Sequence, residues 1–142
     1  MQEVRVHGRF GQPVGKLVAA LSRHASQKGK HVQIFNCFAA YRPGGPMYTV
    51  LRSADETVRQ RSANNTSPDV VVVLDNSLFA SQDVTKGLKP GGTVIALGVG
   101  PEILGDKATK FAFLPLDSFL ADRSMPSIEA GLIKSLEQCQ AL

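Results

Sequence analysis

The order of short apolar and amphipathic segments predicts an α/β fold, a three-layer Rossmann-like sandwich with a mainly parallel sheet and an inserted antiparallel hairpin. Three observations carry this reading. Val70 to Val73 form an unbroken run of valines closed by Leu74, and an apolar run without polar alternation marks a strand buried on both faces of a parallel sheet. The stretch Val6-His7-Gly8-Arg9-Phe10-Gly11-Gln12-Pro13-Val14-Gly15 separates an alternating segment (Val4, Val6) from a helical pattern (Leu17, Val18, Leu21), as a strand-to-helix turn does. Alternation over residues 47–52 and again over 57–61, around Ser53-Ala54-Asp55-Glu56, predicts the hairpin, with one face wet.

Element by element, residues 3–7 are the first strand and residues 14–27 an amphipathic helix whose Leu17, Val18 and Leu21 share a buried face. Lys28-Gly29-Lys30 stops that helix, glycine suiting the position after the cap and the lysines complementing the carboxyl end. A second strand follows over 31–35, then a Pro- and Gly-rich loop over 37–46. After the hairpin come the buried strand over 69–75, a helical turn over 77–81 capped by Asn76 or Ser77, and the turn Lys89-Pro90-Gly91-Gly92 leading into a buried strand over 93–97. A short strand over 112–116 precedes a terminal helix over 127–140, with Ser127 as cap and Ile128, Leu132, Ile133 and Leu136 as its apolar stripe. Ligands of such sheets bind at the carboxyl ends of the strands, which places residues 8–13, 36–45, 75–78 and 97–101 on one rim.

Composition bounds the function. The 142 residues are read as a single domain, 43% hydrophobic and 20% charged, ordinary for a globular chain. A formal net charge of +4 is spread over scattered residues such as Arg5, Arg9, Lys16, Arg23, Arg42, Arg52 and Arg59. There is no basic stripe interleaved with aromatics, so nucleic acid is not the expected partner. A solvated basic face, an anionic ligand or a partner subunit accounts for the charge. The two cysteines, Cys37 and Cys139, form no C-x-x-C pattern, so no iron–sulfur cluster is expected on this chain alone. The start Met-Gln-Glu-Val enters a strand without a secretory apolar region, and no apolar run reaches membrane-spanning length. The expected setting is cytoplasmic, with free thiols and no membrane.

Gly8 and Gly11 frame a turn able to turn backbone N–H groups and a helix N-terminus toward an anion, although the spacing is neither the dinucleotide fingerprint nor a P-loop. Arg9 and Arg42 lie on two rim loops and read either as a bidentate clamp on a phosphate or carboxylate or as two exposed loop arginines. Gln12 donates to a phosphate or caps the helix it precedes. Gly44 and Gly45 supply close approach in the second loop. Asp75 caps the turn that follows it or orients a ligand hydroxyl. Tyr41 stacks on a purine or fills a partner interface. Cys37 in its loop reads as a structural thiol before a reactive one. His7, His24 and His31 have no spacing that assembles a metal site or a triad, and each reads as structural or surface. No catalytic acid–base pair stands out.

The blocks Gly8-Arg9-Phe10-Gly11-Gln12-Pro13, Phe38-Ala39-Ala40-Tyr41-Arg42-Pro43-Gly44-Gly45-Pro46, Pro68 to Asp75 and Gly87 to Ile95 follow one another as in a known family. Over residues 4–98 the chain resembles the gamma subunit, or gamma domain, of 2-oxoacid:ferredoxin oxidoreductases of the pyruvate synthase type. In that family the first loop reads Gly-Arg-Gly-Gly-Gln-Gly, so Phe10 and Pro13 replace glycines here. Ala39-Ala40-Tyr41 stands where Gly-Pro-Glu is usual, and the stretch before the terminal helix is short.

The resemblance implies a non-catalytic subunit of a complex that converts a 2-oxoacid, coenzyme A and oxidised ferredoxin to acyl-CoA, CO2 and reduced ferredoxin. Thiamine diphosphate and 4Fe–4S clusters would lie in partner subunits, one thiamine-binding and one ferredoxin-like. This chain would help assembly and position coenzyme A through Gly8, Arg9, Gly11, Gln12, Arg42, Gly44 and Gly45. Two alternatives stay open at this point: a subunit of a related complex that does not use coenzyme A, and a stand-alone α/β module binding a nucleotide or other anion.

Overall fold

A computed structural model describes residues 2–9, 14–37, 46–54, 68–75, 78–81, 84–85, 87–98, 102–103, 105, 111–116 and 125–138. Six strands form one mixed sheet: β1 (Gln2–Arg9), β2 (His31–Cys37), β3 (Pro46–Ala54), β4 (Val70–Val73), β5 (Thr93–Ala96) and β6 (Ala112–Pro115), in the spatial order β2-β3-β1-β4-β5-β6. β1, β4, β5 and β6 run parallel, while β3 is antiparallel to both β1 and β2. The α/β sandwich expected from sequence is therefore present, and its antiparallel part lies at the β2–β3–β1 end.

β4 bears out the reading of the valine run. All four valines are buried, because β1 and β5 flank the strand and both sheet faces above it are covered. On one face, Val4, Val6, Val70, Val72, Leu51 and Ile95 pack with the apolar stripes of α1 (Val14–Gln27) and α3 (Met125–Gln138). On the other, Val71, Val73, Val94 and Ala96 pack with Leu78 of the short helix α2 (Leu78–Ser81) and with Val84 and Leu88. Each such side chain contributes roughly 1.5–3 kcal/mol by leaving water.

α1 has the bounds expected from its spacing. It ends in a Schellman-type cap: Gly29 adopts φ 82°, Gly29 N–H donates to the Ser26 carbonyl at 2.9 Å and Lys30 N–H to that of Ala25 at 3.1 Å. A left-handed residue there favours glycine. The Lys89-Pro90-Gly91-Gly92 turn also forms, Gly92 N–H donating to the Lys89 carbonyl at 2.8 Å with Gly91 at φ 78°. Proline at the second position and a positive φ at the third are the pattern of a type II turn. Asp69 ties the start of β4 to its surroundings: its Oδ2 accepts from Glu3 N–H at 2.9 Å and its Oδ1 from Lys89 Nζ at 3.1 Å.

Four expectations are corrected. β3 runs on to Ala54 and is paired along one edge with β1 and along the other with β2, so residues 57–61 are not its hairpin partner in this sheet; the hairpin is β2–β3. Residues 57–61 themselves lie outside the described residues. Over residues 49–53 β3 has no wet face, since Thr49 through Ser53 are all buried and both faces of the sheet are covered there. Cys37 and Pro46 end and begin strands instead of lying in the loop between them. Finally, α3 starts at Met125 and not at a Ser127 cap; Pro126 fits its first turn, where no intrahelical N–H bond is required. Residues 139–140, expected in that helix, lie outside the described residues.

Candidate functional site

Strand register gathers one rim. Arg9, the last residue of β1, lies opposite Pro46, the first of β3; Gly8 lies opposite Met47, and Cys37, the last of β2, opposite Tyr48. The segment after Arg9 and the segment between Cys37 and Pro46 thus start or finish at the same end of the sheet. β4 and β5, parallel to β1, also finish there: Leu74 N–H donates to the His7 carbonyl at 3.0 Å and Leu97 N–H to that of Val73 at 3.2 Å. Gly8 is buried in this arrangement, and α1 begins at Val14, its first N–H groups having no partner within the helix. Of the other residues expected at the site, Gly11, Gln12, Arg42, Gly44 and Gly45 lie outside the described residues, as does Tyr41. Asp75 sits on the rim, its carbonyl accepting from Leu78 N–H at 3.1 Å.

Beneath the rim, on the sheet face turned away from α1, lies a buried polar cluster. Strand alternation sends Glu3, Arg5 and His7 to that face, and register sets Arg52 opposite Glu3 and Tyr48 opposite His7. Arg52 Nε donates to Glu3 Oε1 at 2.6 Å, both side chains nearly inaccessible, and its guanidinium lies over the Phe35 ring, 5.1 Å from the centroid. Arg5 Nε donates to His7 Nε2 at 2.9 Å, and Arg5 Nη2 to the Val84 carbonyl at 2.8 Å. The His7 and Tyr48 rings are 5.4 Å apart, with the Arg5 guanidinium 5.9 Å from the Tyr48 centroid.

Burial, and secondarily the adjacent Arg5 charge, lower the His7 pKa from 6.5 to about 3, so the ring is neutral near pH 7. Because a guanidinium N–H only donates, Nε2 must accept, and the single ring proton sits on Nδ1. That Nδ1 is buried with no hydrogen-bond partner among the described residues. An unmet buried donor costs about 1–3 kcal/mol.

The sequence reading missed this cluster. Arg5 and Arg52 read from sequence as scattered basic residues, suited to a solvated face, an anionic ligand or a partner subunit, and His7 as a structural or surface histidine at a strand end; all three are buried. Alternation of Glu3, Arg5 and His7 with valines was the available signal, and it reads equally well as a half-exposed strand. The other histidines are peripheral. His31 is exposed at the start of β2. His24, half-buried on α1, joins Lys28 in binding Glu137 Oε1 of α3, at 2.7 and 3.0 Å. Among the described residues no three His, Cys, Asp or Glu side chains cluster to hold a metal ion, and no helix is long and apolar enough to cross a membrane.

The fold and rim define a class: a Rossmann-like α/β domain in which the end of β1, the end of β2 and the start of β3 lie together at the carboxyl edge of its parallel strands. Within it, the chain belongs to the pyruvate ferredoxin/flavodoxin oxidoreductase family, whose profile matches residues 3–124, as the blocks over residues 4–98 led one to expect.

It is 44% identical over 95 residues to the pyruvate/ketoisovalerate oxidoreductases common subunit gamma of Thermococcus kodakarensis, a match covering 67% of this chain and 51% of that protein. To the pyruvate synthase subunit PorC of Thermotoga maritima it is 41% identical over 93 residues, 66% of this chain and 47% of that one. The match therefore spans about half the length of these relatives. The crystal structure of the pyruvate oxidoreductase subunit PORC from Thermotoga maritima superimposes with a TM-score of 0.69 at 25% identity, covering 99% of this chain and 78% of that chain. A 2-oxoglutarate:ferredoxin oxidoreductase from Magnetococcus marinus, solved with 2-oxoglutarate, coenzyme A and succinyl-CoA bound, shares the fold at a TM-score of 0.64 and 16% identity, over 96% of this chain and 27% of that chain.

Proposed function

We propose that this chain is a gamma-type component of a 2-oxoacid:ferredoxin oxidoreductase complex, carrying no chemistry of its own and positioning coenzyme A at the rim described above. The register that sets Arg9 opposite Pro46 carries the reading, because it brings to one edge the ends of the two segments that hold the family-like Gly8-Arg9 and Arg42-Pro43-Gly44-Gly45 motifs. In that site Arg9 and Arg42 are the anion clamp, with Gly8, Gly11, Gln12, Gly44 and Gly45 giving backbone approach and N–H donors. The thiamine-binding and ferredoxin-like partners hold thiamine diphosphate and the 4Fe–4S clusters, and ferredoxin takes the electrons. Likeness to relatives with oxidoreductase gamma and PorC names supports this partnership.

Gentle affinity capture from native cells, with mass spectrometry of the co-purifying chains, tests the assembly. Recovery of a thiamine-binding and a ferredoxin-like subunit supports the proposal, and recovery of the chain alone favours the stand-alone anion-binding module. Arg9→Ala and Arg42→Ala should each weaken coenzyme A binding by roughly 1–3 kcal/mol, the cost of a lost charged hydrogen bond. Unchanged affinity retires the clamp. Phe10 and Pro13 favour a second reading, a related complex without coenzyme A, since proline removes an N–H from the loop. Binding of coenzyme A at ordinary affinity by the assembled complex excludes it.

A further inference from the structure

Resting on the anion-site reading above, we propose that His7 is a ligand-binding residue of the rim, its Nδ1–H hydrogen-bonding a phosphate oxygen of the bound molecule. Three features of the structure lead there. The tautomer is fixed: Arg5 Nε–H occupies Nε2 at 2.9 Å, so Nδ1 carries the proton and presents a donor. That donor is buried and has no acceptor among the described residues, although buried donors are almost always paired. Its place is the end of the strand. Tyr48 and Val73 flank His7 in register on either side, Arg5 lies two residues behind it on the same face, and β1 ends two residues beyond it, at Arg9.

The Arg5–His7 pair also explains the choice of residue. A guanidinium donating into Nε2 polarises the ring, so Nδ1–H becomes a stronger donor to an anionic oxygen. The positive charge of Arg5, held by the Val84 carbonyl at 2.8 Å, is thereby felt at the rim through a ring that stays neutral. The depressed pKa agrees with this: burial and Arg5 keep His7 uncharged, so its donor remains in place throughout the physiological range. Phosphate is favoured over a neutral carbonyl because the donor is backed by a cation.

Two substitutions separate this role from a structural one. His7→Asn keeps an N–H near the Nδ1 position and removes the acceptor for Arg5. His7→Gln keeps an acceptor near Nε2 and removes the Nδ1 donor. Calorimetric titration of the full chain with coenzyme A, with pantetheine as the phosphate-free control, should show H7Q weakened by about tenfold or more toward coenzyme A and unchanged toward pantetheine. H7N should stay within about threefold of the parent. A purely structural histidine gives the reverse order, and H7Q binding coenzyme A like the parent overturns the proposal.

In parallel, the imidazole N–H of protein labelled with 15N-histidine is followed while inorganic pyrophosphate is added, H7Q assigning the resonance. A saturable downfield shift supports the proposal even where coenzyme A itself fails to bind, an outcome that removes only the coenzyme A reading. A resonance unmoved by both pyrophosphate and coenzyme A overturns the proposal, and it leaves the coenzyme A reading intact if calorimetry still shows binding.

Discussion

Replacing Arg52 with methionine is the sharpest probe of the polar face under the rim. The side chain is 2% exposed and its Nε lies 2.6 Å from Glu3 Oε1, so the pair has almost no water to screen it. At an effective dielectric of about 20, a unit-charge pair at this separation attracts by about 6 kcal/mol. Desolvation of the two ions, several kcal/mol each, offsets most of that. The net worth of the pair is therefore small, while the cost of breaking it on one side is large.

Arg52→Met leaves Glu3 with Oε1 stripped of its cation and Oε2 already without a partner among the described residues. The expected loss is about 3–5 kcal/mol, the usual penalty for an orphaned buried charge. For a chain of this length that is a fall in Tm of roughly 10–20 °C. Glu3→Met in the Arg52→Met background should restore most of the loss, since an apolar pair of similar volume is often neutral or better. Guanidinium unfolding of the parent, both single variants and the double variant closes the cycle. A single-variant loss under about 1 kcal/mol, or a double variant whose losses simply add, would refute the burial argument.

Two further outcomes follow from the same geometry. Gly92→Ala should cost about 1–3 kcal/mol in chemical unfolding, because its Cβ would stand 2.7 Å from Leu88 Cδ1 and 2.8 Å from the Lys89 carbonyl oxygen, and the backbone atom has little room to yield. His7, ordinarily 6.5 and about 3 in the folded chain, binds a proton in the unfolded state first, so its contribution to stability is complete above pH 6.5 and is lost as pH falls toward 3. Between pH 7 and pH 4.5 the parent should lose about 2–3 kcal/mol more than His7→Gln, read from unfolding midpoints at the two pH values; parallel curves would contradict a neutral buried imidazole.

Local signals in the chain were read correctly where the physics is local. The valine run of β4, the Lys28-Gly29-Lys30 stop of α1 and the Lys89–Gly92 turn each depend on residues within a few positions, through burial, a left-handed cap and a proline-set φ. The errors came from long-range pairing. Ser53-Ala54-Asp55-Glu56 has turn composition, so residues 47–61 looked like a closed hairpin, yet β3 finds its partners in β1 and β2, the first far upstream. Likewise Glu3, Arg5 and His7 alternate with apolar neighbours as a solvent-facing strand edge does. Their burial is supported by partners distant in sequence, among them Arg52, 49 positions from Glu3, and Val84, 79 positions from Arg5. At the candidate site, Gly8 and the end of β1 at Arg9 are placed by the structure, while the roles of Gly11, Gln12, Arg42, Gly44 and Gly45 still rest on sequence.

The two faces of the sheet divide the work. Beneath α1 and α3 the strands present Val4, Val6, Val70, Val72 and Ile95, a surface that fixes register, because a slip by one residue would send Glu3 and Arg5 into an apolar layer. That register in turn sets Arg9 against Pro46, so the end of β1 and the start of β3 share one edge. On the opposite face the same alternation lays Glu3, Arg5 and His7 in a row leading to the rim, each within reach of a charged or aromatic neighbour on β3. A loop that has exchanged glycine for Phe10 and Pro13 offers fewer backbone donors to an anion. Side chains held by strands supply donors whose position does not depend on loop backbone. The apolar face therefore fixes the register at the rim, and the polar face holds Arg5 and His7 buried beneath it.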